Sequence, residues 1–168
     1  YPTSLQTSAY KLKESDIDLN NIKNPDMTYG WAKLTGEYCL QFLESEGIRT
    51  HVFRPFSGYG TDQDLTYPFP SFIKRGVDRM NPFDIWGDGT QTRSFLFIDE
   101  CVEGTIRLTR SDFEGPVNIG SEEMVTINQL AEMALEVADK KERSYIKNIA
   151  GEEFQTKYGF KCPVGVRG

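Results

Sequence analysis

The sequence predicts an α/β chain with a parallel sheet and a smaller ligand-binding lobe. Three observations carry that prediction. Runs with strand-like alternation are followed repeatedly by runs whose apolar residues recur at helical spacing, as at 49–53, 83–86, 93–98 and 116–119. Glycine-bearing stops and turns close several of these runs, as at Gly47, Gly58-Tyr-Gly60 and Gly87-Asp-Gly89. The helical runs carry start and stop signals of their own. At 168 residues the chain can form one globular domain with a sizeable core.

Residues 3–26 are largely polar and read as a connecting segment ending where Thr28 can start a helix. From Tyr29 to about Glu46, Trp31, Leu34, Tyr38, Cys39, Phe42 and Leu43 recur at helical spacing, and Gly47 supplies the stop. Arg49 to Phe53 alternates like a strand, with His51 as a structural residue in it, and Arg54 to Gly60 reads as a glycine-bearing turn. Pro68 to Gly76 reads as a short proline-started helix, and Phe83 to Trp86 as a strand ended by Gly87-Asp88-Gly89. Arg93 to Ile98 reads as a further strand, with Asp99 capping a helix through Val102, Ile106 and Leu108. Pro116 to Ile119 has the composition of a buried strand. Thr126 and Gln129 match a capping box, opening a helix through Leu130, Met133, Ala134 and Val137.

Composition excludes several classes. A net charge of −6 argues against a nucleic-acid partner, which needs a basic face. No apolar run approaches the length of a membrane span. Cys39, Cys101 and Cys162 are odd in number and lack metal-ligand spacing, so a reduced, cytoplasmic setting and no metal are expected. Glu122-Glu123 and Glu152-Glu153 read as solvated charge. The opening Tyr1-Pro2 suggests a start in mid-protein, and hence a fragment.

The chemistry is concentrated in Tyr29-x-x-x-Lys33. Residues i and i+4 share one face of a helix, so the Lys33 ammonium can stabilise a phenolate on Tyr29 and let that tyrosine act as a base. Arginine forks suit phosphate oxygens, so an acidic chain that takes an anion needs local arginines, with Arg75 and its competitor Lys74 at the end of the Pro70–Gly76 segment among the candidates. Trp86 can stack on a base but reads more simply as core.

Taken in order, Tyr29-x-x-x-Lys33, Arg54-Pro-Phe-Ser-Gly-Tyr-Gly60, Trp86-Gly-Asp-Gly-Thr-Gln-Thr-Arg-Ser-Phe95, Phe97-Ile-Asp-Glu100 and Val117-Asn-Ile-Gly-Ser121 form a series. It resembles the extended short-chain dehydrogenases of the NAD-dependent epimerase/dehydratase family, which act on nucleotide sugars. Within that family, residues 86–104, Ser111 to Phe113 and 116–121 are most similar to the branch that epimerises GDP-mannose at carbons 3 and 5, and Gly165-Val-Arg-Gly168 is similar to that branch's arginine-bearing loop.

The resemblance implies the C-terminal part of a Rossmann-type doubly wound parallel sheet plus a smaller substrate-binding lobe. Residues 1–60 would be the second half of the NAD-binding domain, and 61–168 the lobe with returning elements at about 93–119. Tyr29 and Lys33 would be catalytic and would contact NAD together with Pro55 and Phe56. Ser57, Arg75, Gln91, Thr92, Arg93 and Arg167 would bind a nucleotide sugar, a GDP-sugar by preference. A homodimer built on the Tyr29–Lys33 helix is also implied.

The same resemblance marks departures. The glycine fingerprint for the dinucleotide occurs nowhere in the chain, and Gly58-Tyr-Gly60 and Gly87-Asp-Gly89 read as turns. The Ser/Thr that completes the family's catalytic trio, and the branch's acid/base cysteine, would precede Tyr1. Ser57 stands where asparagine is usual, and residues 61–69 lack the lysine acid/base of the 3,5-epimerising branch. Residues 140–164 fit the family poorly.

Overall fold

A computed structural model describes residues 1–7, 9–25, 27–138 and 145–159. Its strands form two-stranded ladders, three of the four described ones parallel. Helix α1 (Met27–Ser45) leads into β1 (Val52–Pro55) and β2 (Ser57–Tyr59). After α2 (Pro68–Val77) come β3 (Phe83–Trp86), β4 (Thr92–Arg93), β5 (Phe95–Phe97) and α3 (Ile98–Arg110). The chain continues through β6 (Pro116–Ile119), β7 (Val125–Thr126), α4 (Ile127–Val137), β8 (Ile146–Ile149) and α5 (Gly151–Tyr158).

Most expected elements form for the expected reasons. Gly47 adopts φ +78°, and the Ile48 N–H returns to the Leu43 carbonyl at 3.0 Å, closing α1 with a left-handed stop. Thr126 Oγ1 accepts from the Gln129 N–H at 3.1 Å while the Gln129 side chain accepts from the Thr126 N–H at 2.8 Å, completing the capping box of α4. Gly87 and Gly89 both have positive φ, as the turn after β3 requires.

Four local readings are corrected. The strand expected from Arg49 starts at Val52, leaving His51 just before it. The turn expected at 54–60 is mostly strand, because β1 and β2 are separated only by Phe56 and pair with different partners: β1 with β6, β2 with β5. The strand expected at 93–98 breaks at Ser94, whose hydroxyl donates to the Ser121 carbonyl. On one side of that break β4 pairs antiparallel with β7, and on the other β5 pairs parallel with β2. Asp99 is not the cap of α3: Phe97 holds that position, and Asp99 and Glu100 lie in the first turn, where they complement the helix dipole.

Two further elements, β8 and α5, occupy a region in which the sequence reading assigned none. β8 pairs in parallel with β3, from Phe83↔Ile146 to Trp86↔Ile149. Glu152 and Glu153 are exposed, as a solvated pair, in the first turn of α5, and Lys157 lies in its last turn, so these charges also complement the helix dipole. Phe154, fully buried, and Tyr158 lie against Trp86 with ring centroids 5.2 and 5.3 Å away. Trp86 is thus part of this aromatic cluster, though 43% exposed.

The main core joins α2, α4 and β3 through Phe72, Phe83, Ile85, Leu130, Ala134 and Leu135. Gly76 permits a close α2–α4 crossing, since a Cβ there would lie 3.1 Å from the Ala134 carbonyl oxygen. Helix α1 behaves differently. Leu34 is buried, but Trp31, Tyr38 and Phe42, also at helical spacing, are 45%, 58% and 67% exposed. Among the described residues no helix is long and apolar enough to cross a membrane.

The polar N-terminal segment is docked across the β1–β6 ladder. Arg54, on β1, makes a two-pronged contact with Glu37 of α1, at 2.9 Å from Nε and 2.6 Å from an Nη, and also donates to the Glu14 carbonyl at 3.0 Å. Its guanidinium lies 5.4 Å from the Tyr1 ring centre. Tyr1 Oη donates to Asn118 Oδ1, and the Glu14 carboxylate accepts from the Asn118 N–H at 2.8 Å. Hydrogen bonds from the Asn118 and Glu14 backbones hold the Glu14 carboxyl below its ordinary value of 4.5.

A carboxyl depressed in the folded state contributes stability above its unfolded value and loses it as pH falls through the folded one. Docking of the segment is therefore complete at neutral pH and weakens below the ordinary value of 4.5, and Glu14→Gln flattens this acid limb. The Asn118 amide shift followed against pH reads it, and an identical limb in the variant would refute it. At Gly89, φ is +70° and a Cβ would fall 1.9 Å from Asn128 Oδ1, so Gly89→Ala should cost about 2 kcal/mol in urea denaturation. A change within experimental error would contradict that placement.

Candidate active site

The Tyr29–Lys33 pair forms as the i,i+4 spacing requires. Both residues lie in the first two turns of α1, and Lys33 Nζ is 5.5 Å from the Tyr29 ring centre. Gly30 lets the helix start pass close to the N-terminal segment, because a Cβ there would be 2.8 Å from Pro25 Cβ. Pro25 is itself bridged to Pro2. Tyr29 is 71% exposed, so its hydroxyl is accessible to a ligand.

The pair opens on a groove of about 600 Å³ that Pro55 and Phe56 also line. The groove lies where neighbouring strand partners diverge, since the backbone on one side of Phe56 pairs with β6 and on the other with β5. Diverging parallel strands leave a crevice at their ends, the usual ligand position in open α/β sheets. The Phe56 N–H still donates to the Ile119 carbonyl at 2.9 Å, and its ring lies so close to Gly120 that a Cβ there would come within 2.0 Å of it. Position 120 must be glycine for the ring to stay where it is.

The expected substrate residues divide into two places. Ser57 opens β2 opposite Phe95, two residues after Arg93, so the ladder brings Ser57 and Arg93 to the same neighbourhood. Gln91 donates to the Trp86 carbonyl at 3.3 Å and accepts from the Ile127 N–H at 3.1 Å, which fixes the strand carrying Thr92 and Arg93. Thr92 Oγ1 is buried with no partner among the described residues. Arg93 is half-buried, donates to the Thr92 carbonyl at 2.8 Å, and is pushed below the ordinary arginine value by burial.

Arg75 lies elsewhere. Its guanidinium sits 4.8 and 4.3 Å from the Phe72 and Phe83 ring centres and donates to the Asp84 carbonyl, in the wall between α2 and β3. Burial pushes it down as well. Lys74, its competitor, pairs with Asp78. Asp84, only 5% exposed, pairs with Lys157 and lies 3.4 Å from the Tyr158 hydroxyl. Arg167 and Cys162 lie outside the described residues.

Sequence reasoning missed Glu37 and gave Arg54 no role. The signal was present, because Tyr29, Lys33 and Glu37 continue one i,i+4 row along α1. Among the described residues no cluster of side chains is arranged for a metal. The groove, with an exposed phenol and an ammonium beside the strand fork, fits the nicotinamide end of a dinucleotide. No glycine-rich cradle for its pyrophosphate occurs in this sequence.

Known proteins of similar sequence and fold identify the family. The profile of the NAD dependent epimerase/dehydratase family matches residues 3–120. GDP-mannose 3,5-epimerase of Arabidopsis thaliana is 44% identical over 142 residues, covering 82% of this chain and 37% of the relative. An uncharacterised UDP-glucose epimerase of Bacillus subtilis is 32% identical over 154 residues, 89% of this chain and 48% of the relative. The crystal structure of UDP-glucuronic acid 4-epimerase from Bacillus cereus, in complex with UDP-glucuronic acid and NAD, aligns with a TM-score of 0.69 at 28% identity, over 88% of this chain and 46% of that one. The chain thus spans less than half the length of these relatives. With its tyrosine–lysine helix, its parallel ladders and these matches, the chain belongs to the NAD-dependent epimerase/dehydratase family.

Proposed function

We propose that this chain carries the proton-transfer pair and part of the sugar-nucleotide site of an NAD-dependent nucleotide-sugar epimerase or dehydratase. The observation that carries the reading is the Tyr29–Lys33 pair opening on the groove at the Phe56 strand fork. NAD⁺, when bound, supplies the hydride acceptor for transient oxidation of the sugar. Tyr29 Oη, as phenolate, takes the proton of the sugar hydroxyl and later returns it. Lys33 keeps positive charge beside that oxygen and is placed to bond the nicotinamide ribose. Pro55 and Phe56 form the groove wall against the ring. Ser57, Gln91, Thr92 and Arg93 hold the sugar nucleotide, with the Arg93 fork on phosphate oxygens. The keto sugar acidifies its neighbouring C–H bonds, and epimerisation or elimination follows from there.

A GDP-sugar is the substrate we favour, because identity to the GDP-mannose enzyme is 44% against 32% for the UDP-glucose epimerase. A second reading, 4-epimerisation or decarboxylation of another nucleotide sugar, is favoured by the absence of lysine from residues 61–69. We assign the exposed Trp31, Tyr38 and Phe42 of α1 to a homodimer contact. The free thiols of Cys39 and Cys101 suit a reducing cytoplasm.

Titration calorimetry of the 168-residue chain with GDP-mannose tests the substrate assignment. Saturable binding is expected, weakened about tenfold or more by Arg93→Met and weaker for UDP-glucose. Because no dinucleotide fingerprint is present, binding without turnover is expected of the chain by itself. Absence of binding, or an Arg93→Met variant that binds equally well, would overturn the assignment. Sedimentation reads the contact: Phe42→Asp should shift a dimer to monomer, and a wild-type chain that stays monomeric at high concentration would refute it.

A further inference from the structure

On α1, Lys33 has two potential partners one helical turn away, Tyr29 on one side and Glu37 on the other. A lysine ammonium would ordinarily favour the carboxylate. Here both Glu37 oxygens are engaged by Arg54, at 2.9 and 2.6 Å, with the two side chains only 10% and 16% exposed. Lys33 makes no ion pair among the described residues and instead lies by the Tyr29 ring. Two effects favour this arrangement. A planar fork binds a carboxylate through two parallel, charge-assisted bonds, which an ammonium cannot match. A helical pair with lysine N-terminal to glutamate is also the weaker of the two possible orders.

We propose that Arg54 is a positioning residue: by occupying Glu37 it keeps that carboxylate from capturing Lys33, and so leaves the ammonium on Tyr29. The idea rests on the reading of Tyr29 as the base, but it concerns charge placement in the chain without cofactor. The other titratable groups lining the groove are Tyr1, Asp16, Asp18 and Lys23 of the N-terminal segment and His51 before β1. Tyr1 is engaged with Asn118 and lies by Arg54, and Asp16 accepts from the Lys13 N–H at 2.7 Å. These two are therefore committed elsewhere. Neither is a neighbour of Lys33 along α1, as Glu37 is.

The test is NMR on the 168-residue chain with labelled lysine, tyrosine and glutamate. In the wild type, Lys33 ε-methylene protons should show cross-relaxation to the Tyr29 ring. In Arg54→Met that contact should be lost and a Lys33–Glu37 contact should appear. In the double variant Arg54→Met with Glu37→Gln, the Lys33–Tyr29 contact should return although the same ion pair is missing. A purely structural role for Arg54 would leave the double variant as disturbed as the single one. If Arg54→Met does not fold, Arg54→Lys replaces it, and partial loss of the Lys33–Tyr29 contact is the expected result. Persistence of that contact in a folded single variant, or its absence from the double variant, overturns the proposal. The assignment of Tyr29 as base would survive either result, because turnover in a cofactor-binding context tests it separately.

Discussion

The Arg54 guanidinium is the point on which the arrangement of this chain depends. One planar group joins α1 through Glu37, the N-terminal segment through the Glu14 carbonyl and the Tyr1 ring, and β1 through its own backbone. An ammonium has neither the fork for Glu37 nor the flat face for Tyr1. Both charges are almost withdrawn from water, at 10% and 16% exposure, so loss of one partner strands the other, a situation that costs on the order of 3–5 kcal/mol. Since Tyr29, Lys33 and Glu37 share one row of α1, fixing Glu37 also fixes how the helix presents the other two to the groove.

What the sequence made legible was whatever local chemistry decides. The left-handed stop at Gly47, the box of Thr126 and Gln129 and the paired glycines after β3 were all readable from a few residues. What escaped was decided by partners distant in sequence. Nothing local in Arg54 to Gly60 announces that the chain changes strand partner at Phe56, because that depends on where β5 and β6 return. The break at Ser94 has the same cause, with β7 taking one side and β2 the other. β8 has only two apolar residues within it, and its identity as a strand comes from lying beside β3.

The candidate site shows the same division. That Tyr29 and Lys33 share a face of α1 follows from helical spacing, whereas singling them out as a pair rests on the motifs downstream. Arg93 and Ser57 come together only because β2 pairs with β5. Residue type alone does not give the surroundings of Arg75, whose guanidinium lies by two phenylalanine faces and donates to the Asp84 carbonyl. The exposed stripe on α1 is a further case, since spacing showed that Trp31, Tyr38 and Phe42 share a face but not whether this chain covers it.

The central claim is that the groove between the start of α1 and the Phe56 fork receives a nicotinamide ring beside Tyr29 and Lys33. The most direct measurement is a heteronuclear NMR titration of the chain with nicotinamide mononucleotide, which carries the ring and ribose without the adenosine half. The account predicts saturable shifts centred on Tyr29, Lys33 and Phe56, with β3 and α5 unmoved. Shifts centred on Asp84 and Lys157 instead, or none at saturating ligand, would contradict it.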